Sequence, residues 1–357
     1  MSHNQMLDIC SSFCMDSPAI SCEPYGNGII NKTFLVTAES GKRYILQKLS
    51  QEVFKDIPAL MGNIQAVTDY LASNSVGEPV VIIPVHTNDG NIYMQNEDGY
   101  YRMTPYAENT IAYDTPKSAE DFYNVAIGFG SFISALNQFP AETLTETIPN
   151  FHNTADRYRI FHEAIEKDSH HRVSSVQKEI DFLLAREEEM GQLQKMRESG
   201  TLPTRVTHND TKLNNILFDK KTNKPKYVID LDTVMPGLSL YDYGDCIRFG
   251  AATAAEDEKD TARMGINLEL YRVFTRGFIK ACKGLTKEEV DFLPLGAKTI
   301  TAELAVRFLT DYLYGDTYFK TSYEGHNLVR TRAQIKLVSS MEEHWDEMQK
   351  ILQEERK

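Results

Sequence analysis

The sequence predicts an α+β protein in two parts, a small β-rich N-terminal domain and a larger helical one, with a cleft between them. Three observations carry this. The chain has 357 residues, which suits two domains. Up to residue 107 it reads mostly as strands and turns. From 108 to 357 helical periodicity dominates, so strands and helices are segregated along the chain.

Taken in order, 29–38 is β-rich, Glu39-Ser40-Gly41 supplies a turn, and 43–49 returns, which predicts a hairpin. Leu60, Ile64, Val67 and Leu71 recur at three- and four-residue spacing and predict a helix over 57–73. Three strands are then expected, over 80–85, 92–95 and 100–105, separated by turns at Asn88-Asp89-Gly90 and Asp98-Gly99. Ser118-x-x-Asp121 resembles a capping box and opens an apolar run through Val125, Phe129, Phe132, Ile133 and Leu136. Further helices are expected over 176–197, 268–282, 299–314 and 335–354. One island is strand-like: 205–207, 216–218 and 226–231.

Composition narrows the classes. Apolar residues make up 41% and charged residues 25%, as in ordinary globular chains. The net charge of −13 argues against a nucleic-acid partner, which calls for a cationic face. It leaves room for a small phosphorylated ligand held by local cations. Cys10, Cys14, Cys22, Cys246 and Cys282 form no metal-ligand spacing, and their odd number points to a reduced cytoplasm. The N-terminal residues lack the cationic and apolar regions of a signal peptide, and no run approaches the apolar length of a membrane span, so no membrane partner is expected.

The densest chemical signal is His208-x-Asp210-x-x-x-x-Asn215, followed by Asp230 in Ile229-Asp230-Leu231-Asp232. Phosphoryl transfer needs these residue types. A carboxylate accepts or orients the hydroxyl proton, an amide oxygen helps hold magnesium, and an acidic residue at a strand end links metal to phosphates. The bland alternative makes Asp210 and Asn215 turn residues and His208 a packed histidine. A metallohydrolase reading lacks a His/Cys partner set. His208 itself is read as fixing the loop by hydrogen bonding. In the N-terminal part, Gly26-Asn27-Gly28-Ile29-Ile30-Asn31 is a turn whose glycines would let backbone N–H groups approach phosphates. Lys48 follows on the next strand, where a lysine could reach nucleotide phosphates; a solvated strand lysine is the alternative. The strand ending at Pro105 leads into a connector, and backbone near Thr104 and Tyr106 is placed to meet adenine.

These motifs resemble those of the aminoglycoside phosphotransferase and choline kinase superfamily, from Gly26 to about Asp245. The resemblance implies a two-lobed protein-kinase-like fold, an N-lobe over 1–107 that binds ATP, and a catalytic, acceptor-binding C-lobe over 108–357. It makes Asp210 the catalytic base, Asn215 and Asp230 Mg2+ ligands, and Asp232 a further ligand. Gly26, Gly28, Ile29, Lys48, Thr104 and Tyr106 fall on its nucleotide site. Asp242 resembles a structural aspartate that anchors the catalytic loop. One departure stands out: the predicted helix offers Asn63, Gln65 and Asp69, but no convincing glutamate to pair with Lys48.

Three segments resemble a narrower family, the N-acetylhexosamine 1-kinases: Y-I-L-Q-K-L at 44–49, I-D-L-D-T-V-M-P-G at 229–237, and the run from Ala305 through Lys320 with H-N-L-V-R-T-R-A-Q after it. Phe151-His152-Asn153-Thr154-x-x-Arg157 looks like another marker of that family. The resemblance implies transfer to the anomeric hydroxyl of GlcNAc or GalNAc. Arg307, Asp316, Tyr318, His152 and Asn153 would supply donors and acceptors to the sugar, and Phe151 an aromatic platform. The alternative for these residues is an ion pair for Arg307 and Asp316 and a core position for Phe151. Another small acceptor, of aminoglycoside, choline, homoserine or methylthioribose type, stays open, as does a catalytically inactive nucleotide-binding regulator. The sequence does not indicate an oligomeric state.

Overall fold

The computed structural model describes residues 3–26, 30–74 and 80–357. Helix α1 (His3–Ser11) leads into strands β1 (Ala19–Pro24), β2 (Lys32–Ala38) and β3 (Arg43–Lys48). Helix α2 (Ile57–Asn74) and strands β4 (Met94–Asn96) and β5 (Gly99–Pro105) follow. The five strands form one antiparallel sheet in the order β1-β2-β3-β5-β4. Side chains alternate between its faces. Val36, Tyr44, Leu46, Tyr101 and Met103 fall on one face and build a small core with Ile9, Cys10 and Phe13 of the α1 region. The apolar side of α2, through Leu60, Ile64, Val67 and Leu71, joins the larger core of the helical part instead.

The strand expected over 80–85 is not a ladder. Val81 makes one parallel bridge to Val228, and the Val85 N–H donates to the Met103 carbonyl at 2.8 Å. Pro84 lies between them and has no N–H to continue either pairing. Strand β1 was not anticipated: only Cys22 on it is buried, so it carries no alternating signal.

The next strand, β6 (Thr110–Ile111), already pairs outside the first sheet. Helices α3 (Ala119–Ala135) and α4 (Thr154–Lys167) follow; Ser118 caps α3 by accepting from the Asp121 N–H at 3.1 Å. The Asp121 carboxylate accepts from the Lys117 N–H rather than the Ser118 N–H, so no reciprocal box forms. The helix expected over 176–197 is three short ones, α5 (Gln177–Leu184), α6 (Glu187–Met190) and α7 (Gln192–Glu198). The first break is at Arg186, which turns to Glu342 and the Phe182 carbonyl, and the second is at Gly191.

Strands β7 (Arg205–Thr207), β8 (Ile216–Asp219), β9 (Pro225–Val228) and β10 (Met235–Gly237) form two small sheets, β10-β7 and β6-β8-β9. Helices α8 (Ser239–Gly250), α9 (Leu268–Ala281), α10 (Lys287–Asp291), α11 (Leu293–Leu313), α12 (His326–Glu343) and α13 (Trp345–Glu355) complete the chain. The helix expected over 335–354 is split between α12 and α13 at His344, whose ring Nδ1 donates to the Ser340 carbonyl at 2.9 Å. Helices α8 and α11 cross closely at Gly244 and Gly296. A Cβ on Gly244 would come within 2.4 Å of the Gly296 carbonyl oxygen. That contact fixes the N-terminal turns of α8, which carry Asp242 and Asp245. No helix among the described residues is long and apolar enough to cross a membrane.

Candidate active site

The segment after β7 turns sharply, with Asn209 at φ 63°, a conformation that asparagine tolerates better than most residues. Buried Asp242 makes the turn possible. Its two carboxylate oxygens accept from the His208 and Asn209 N–H groups, both at 2.8 Å. Burial pushes this carboxyl up to about 6, against the opposing pull of His208. Asp245 accepts from the Thr211 N–H at 3.0 Å and from Arg248 at 2.8 Å. Burial opposes its charge, but Arg248 outweighs burial and holds its pKa low. The His208 ring lies edge-on to Phe129, and its Nε2–H donates to the Ile229 carbonyl at 2.9 Å. With that tautomer fixed, Nδ1 accepts from the Asp210 N–H at 3.3 Å.

Asp210 stands at the end of this scaffold. Lys212 Nζ lies 2.8 Å from one of its oxygens. Burial works to lower the Lys212 ammonium, but Asp210 outweighs it and raises the pKa. Asn215 donates through Nδ2 to the Asp210 carbonyl at 2.8 Å. The Asn215 carbonyl in turn accepts from the Ile229 N–H at 2.9 Å, so the loop and the end of β9 are tied directly. Asp230 follows in the left-handed conformation, φ 60°. Among the described residues none hydrogen-bonds its carboxylate. Burial by the surrounding protein and then Asp232 push its pKa up to about 6, with Arg102 pulling back.

Asn215 and Asp230 line one end of a cavity of about 620 Å³, and Thr104 and Tyr106 line it as well. The Tyr106 N–H donates to the Arg43 carbonyl at 3.0 Å, so among its backbone groups the carbonyl is the one left for a ligand. Gly26 is at φ 70°, which requires glycine, and its neighbour Tyr25 reaches the cavity wall. Gly28 and Ile29 lie outside the described residues.

Two expected residues stand elsewhere than the spacing suggested. Lys48 shares the sheet face of Tyr44 and Leu46, and its ammonium is 3.2 Å from Asp98. The cavity face of β3 carries Ile45 and Gln47 instead. Asp232 is buried with both oxygens engaged, one by Arg102 and the other by Asn31 Nδ2 at 2.7 Å. Both oxygens are thus held by fixed donors, so Asp232 is less free to turn toward a metal than Asp230. Asp230 and the Asn215 side-chain oxygen do have that freedom, and such hard oxygen donors fit Mg2+ completed by phosphates. Among the described residues no cluster of three or more His, Cys, Asp or Glu side chains could hold a metal unaided.

The expected acceptor residues divide. Arg307 and Tyr318 line a second cavity of about 190 Å³, beside Arg157. The Arg307 guanidinium lies 5.3 Å from the Phe151 ring and 5.5 Å from Phe319. His152, Asn153 and Asp316 spend polar atoms on the walls. His152 bridges Glu303 at 3.0 Å and the Asn209 carbonyl at 3.4 Å, which joins α11 to the catalytic loop. Asn153 caps α4 by accepting from the Asp156 N–H at 3.1 Å. Asp316 pairs with Arg172 at 2.7 Å and accepts from Asn327 at 2.9 Å. Sequence reasoning missed Lys212, Asp245, Gln47 and Arg102. Lys212 sits inside the His208–Asn215 motif and Asp245 follows Asp242 by three residues; the last two show only through strand register.

The solved structures that resemble this chain have kinase-like folds. An aminoglycoside phosphotransferase from Alicyclobacillus acidocaldarius superposes with a TM-score of 0.62 at 14% identity, covering 98% of this chain and 94% of that one. Amicoumacin kinase, in complex with AMP-PNP, Ca2+ and Ami, gives 0.62 at 14% identity, covering 94% and 93%. Spectinomycin phosphotransferase, in complex with ADP and spectinomycin, gives 0.60 at 13% identity, covering 94% and 98%. The model of the phosphotransferase enzyme family, APH, matches residues 21–274, which span the first sheet, the loop around Asp210 and the aspartates of α8. The chain therefore belongs to the phosphotransferase enzyme family, and it is a phosphotransferase on a kinase-like fold.

Proposed function

We propose that this phosphotransferase moves the γ-phosphate of ATP to the anomeric C1 hydroxyl of an N-acetylhexosamine, GlcNAc or GalNAc, giving the sugar 1-phosphate. The observation that carries the kinase part is the linkage of Asp210 and Lys212 to Asn215, which together with Asp230 lines a nucleotide-sized cavity. We place the boundary between the nucleotide lobe and the acceptor lobe at about residue 107, between β5 and β6.

In this reading the adenine meets the connector near Thr104 and Tyr106, and the turn at Gly26, Gly28 and Ile29 covers the phosphates. Asn215 and Asp230 hold Mg2+, which when bound neutralises phosphate charge. Asp210 orients the C1 hydroxyl and takes its proton. The sugar oxygen forms its bond to the γ-phosphorus as the bond to the bridging oxygen breaks, and ADP leaves. Lys212 offsets charge on the transferred group. An anomeric hydroxyl is more acidic than an ordinary alcohol, so positioning supplies much of the rate.

The acceptor reading is supported by the segments that resemble N-acetylhexosamine 1-kinases and by the second cavity. Arg307 and Tyr318 offer donors there, and Phe151 packs behind Arg307. The alternative is another small hydroxylated acceptor. A cationic acceptor would call for free carboxylates, yet this cavity carries Arg157 and Arg307. Among the described residues its one aspartate, Asp311, is committed to the Thr317, Tyr318 and Phe319 N–H groups and to Asn327. An ADP-release assay across free sugars, amino alcohols and aminoglycosides tests the reading. Release with GlcNAc or GalNAc is expected, and release with amino alcohols alone would replace it.

A further inference from the structure

We propose that Arg102, held by Asp232, is the cation that receives the nucleotide phosphates, in the place a β3 lysine would otherwise fill. The assignment rests on the kinase reading above and deepens it.

Strand parity excludes Lys48. On β3, Tyr44, Leu46 and Lys48 point to one face and Ile45 and Gln47 to the other. Leu46 lies in the small core under α1, whereas Ile45 and Gln47 line the cavity. Lys48 is in register with Tyr101, itself in that core, and its charge is met by Asp98. To reach the cavity Lys48 would have to pass through the sheet.

Arg102 is on β5, opposite Gln47 in the ladder, and it lines the cavity. Its Nε–H donates to Gln47 Oε1 at 2.9 Å, and its Nη1 group bonds Asp232. Among the described residues nothing accepts from the Nη2 group. A guanidinium fixed on two sides with one NH2 left over is prepared for a phosphate oxygen. Among the described residues the other cation lining this cavity is Lys220, whose N–H bonds the Asn109 carbonyl near the connector. Arg102 instead bonds Asp232, two residues beyond Asp230, which lines the same cavity.

Asp232 takes the part of the counter-charge that α2 does not supply. The Asn63 side chain on α2 is spent on Thr145 and the Val234 carbonyl. Asp232 binds Arg102 with one oxygen and Asn31 with the other, while Asn31 also accepts from the Ser50 N–H at 3.0 Å. The segment after β9 is thereby joined to β5 and to the start of β2. Asp232 is a positioning residue here, its two oxygens set on Arg102 and Asn31.

The test is calorimetric titration of the full chain with ADP and with adenosine, both with excess magnesium. Arg102→Gln should weaken ADP about tenfold or more, the loss of a charge-assisted hydrogen bond, and leave adenosine within about twofold. Lys48→Ala should shift neither by more than about twofold. Because removing one partner of a buried pair can unfold the protein, Arg102→Gln/Asp232→Asn supplies a neutral pair with the same selective loss of ADP. Adenosine binding reports an intact site. A loss of ADP affinity in Lys48→Ala, or ADP binding of wild-type strength in the double variant, overturns the assignment. Wild type that binds neither compound would reject the kinase reading itself.

Discussion

Two regions face each other across the larger cavity, and they are held by different means. The loop around Asp210 is anchored by backbone N–H groups that converge on Asp242 and Asp245, both on the first turns of α8. The opposite wall, strands β3 and β5, is an ordinary antiparallel ladder whose cavity side is set by parity alone. The loop is specified by individual carboxylates that accept from its buried N–H groups. The wall is specified by register, and a shift of one residue would swap its whole set of side chains. Variants in the loop should therefore lose chemistry or folding, and variants in the wall should lose selected ligand contacts.

The largest effect is expected at Asp210. Asp210→Asn should lower kcat by roughly 10²- to 10⁴-fold while nucleotide affinity stays nearly constant. A variant that kept more than about a tenth of wild-type kcat would remove the acid–base role and with it the contrast drawn above.

This loop was also the part most legible in the sequence, and the reason is physical. His208, Asp210 and Asn215 lie within eight residues of chain, so fixed spacing translates into fixed geometry. Asp230 is tied to the same loop by the Ile229–Asn215 hydrogen bond. Lys48 was less legible because a lysine near the end of a strand can face either way, and only pairing with Tyr101 decides it. The residues expected to face the acceptor were half legible. Phe151, His152, Asn153, Thr154 and Arg157 do act together, but largely on one another and on Glu303. Helix ends were misjudged where a side chain took a backbone partner, as at Arg186 and His344.

The next effect is on metal dependence. Asp230→Ala and Asn215→Ala should each raise the magnesium concentration for half-maximal activity by about tenfold or more, since each removes one of few oxygen ligands. Normal magnesium dependence in both would place the ion elsewhere. A stability effect should follow at Asp242. Asp242→Ala leaves two buried N–H groups without acceptors, at about 1–3 kcal/mol each. Denaturant unfolding should show a loss of that order, and a loss below about 1 kcal/mol would mean the loop holds its turn without Asp242.

A smaller effect is expected across the cleft. Arg307→Ala should raise acceptor KM roughly tenfold, the order of one lost hydrogen bond to a charged group, with nucleotide KM within about twofold. Equal changes in both constants would detach the second cavity from the acceptor.

The claim that the acceptor is an anomeric hydroxyl is tested most directly by the position of phosphate on the product. Incubation with ATP, magnesium and GlcNAc or GalNAc should give a product whose phosphorus couples to the proton on C1 by NMR. The corresponding methyl glycosides, blocked at C1, should give no product. Phosphate on C6, or equal rates with the methyl glycoside, would contradict the account.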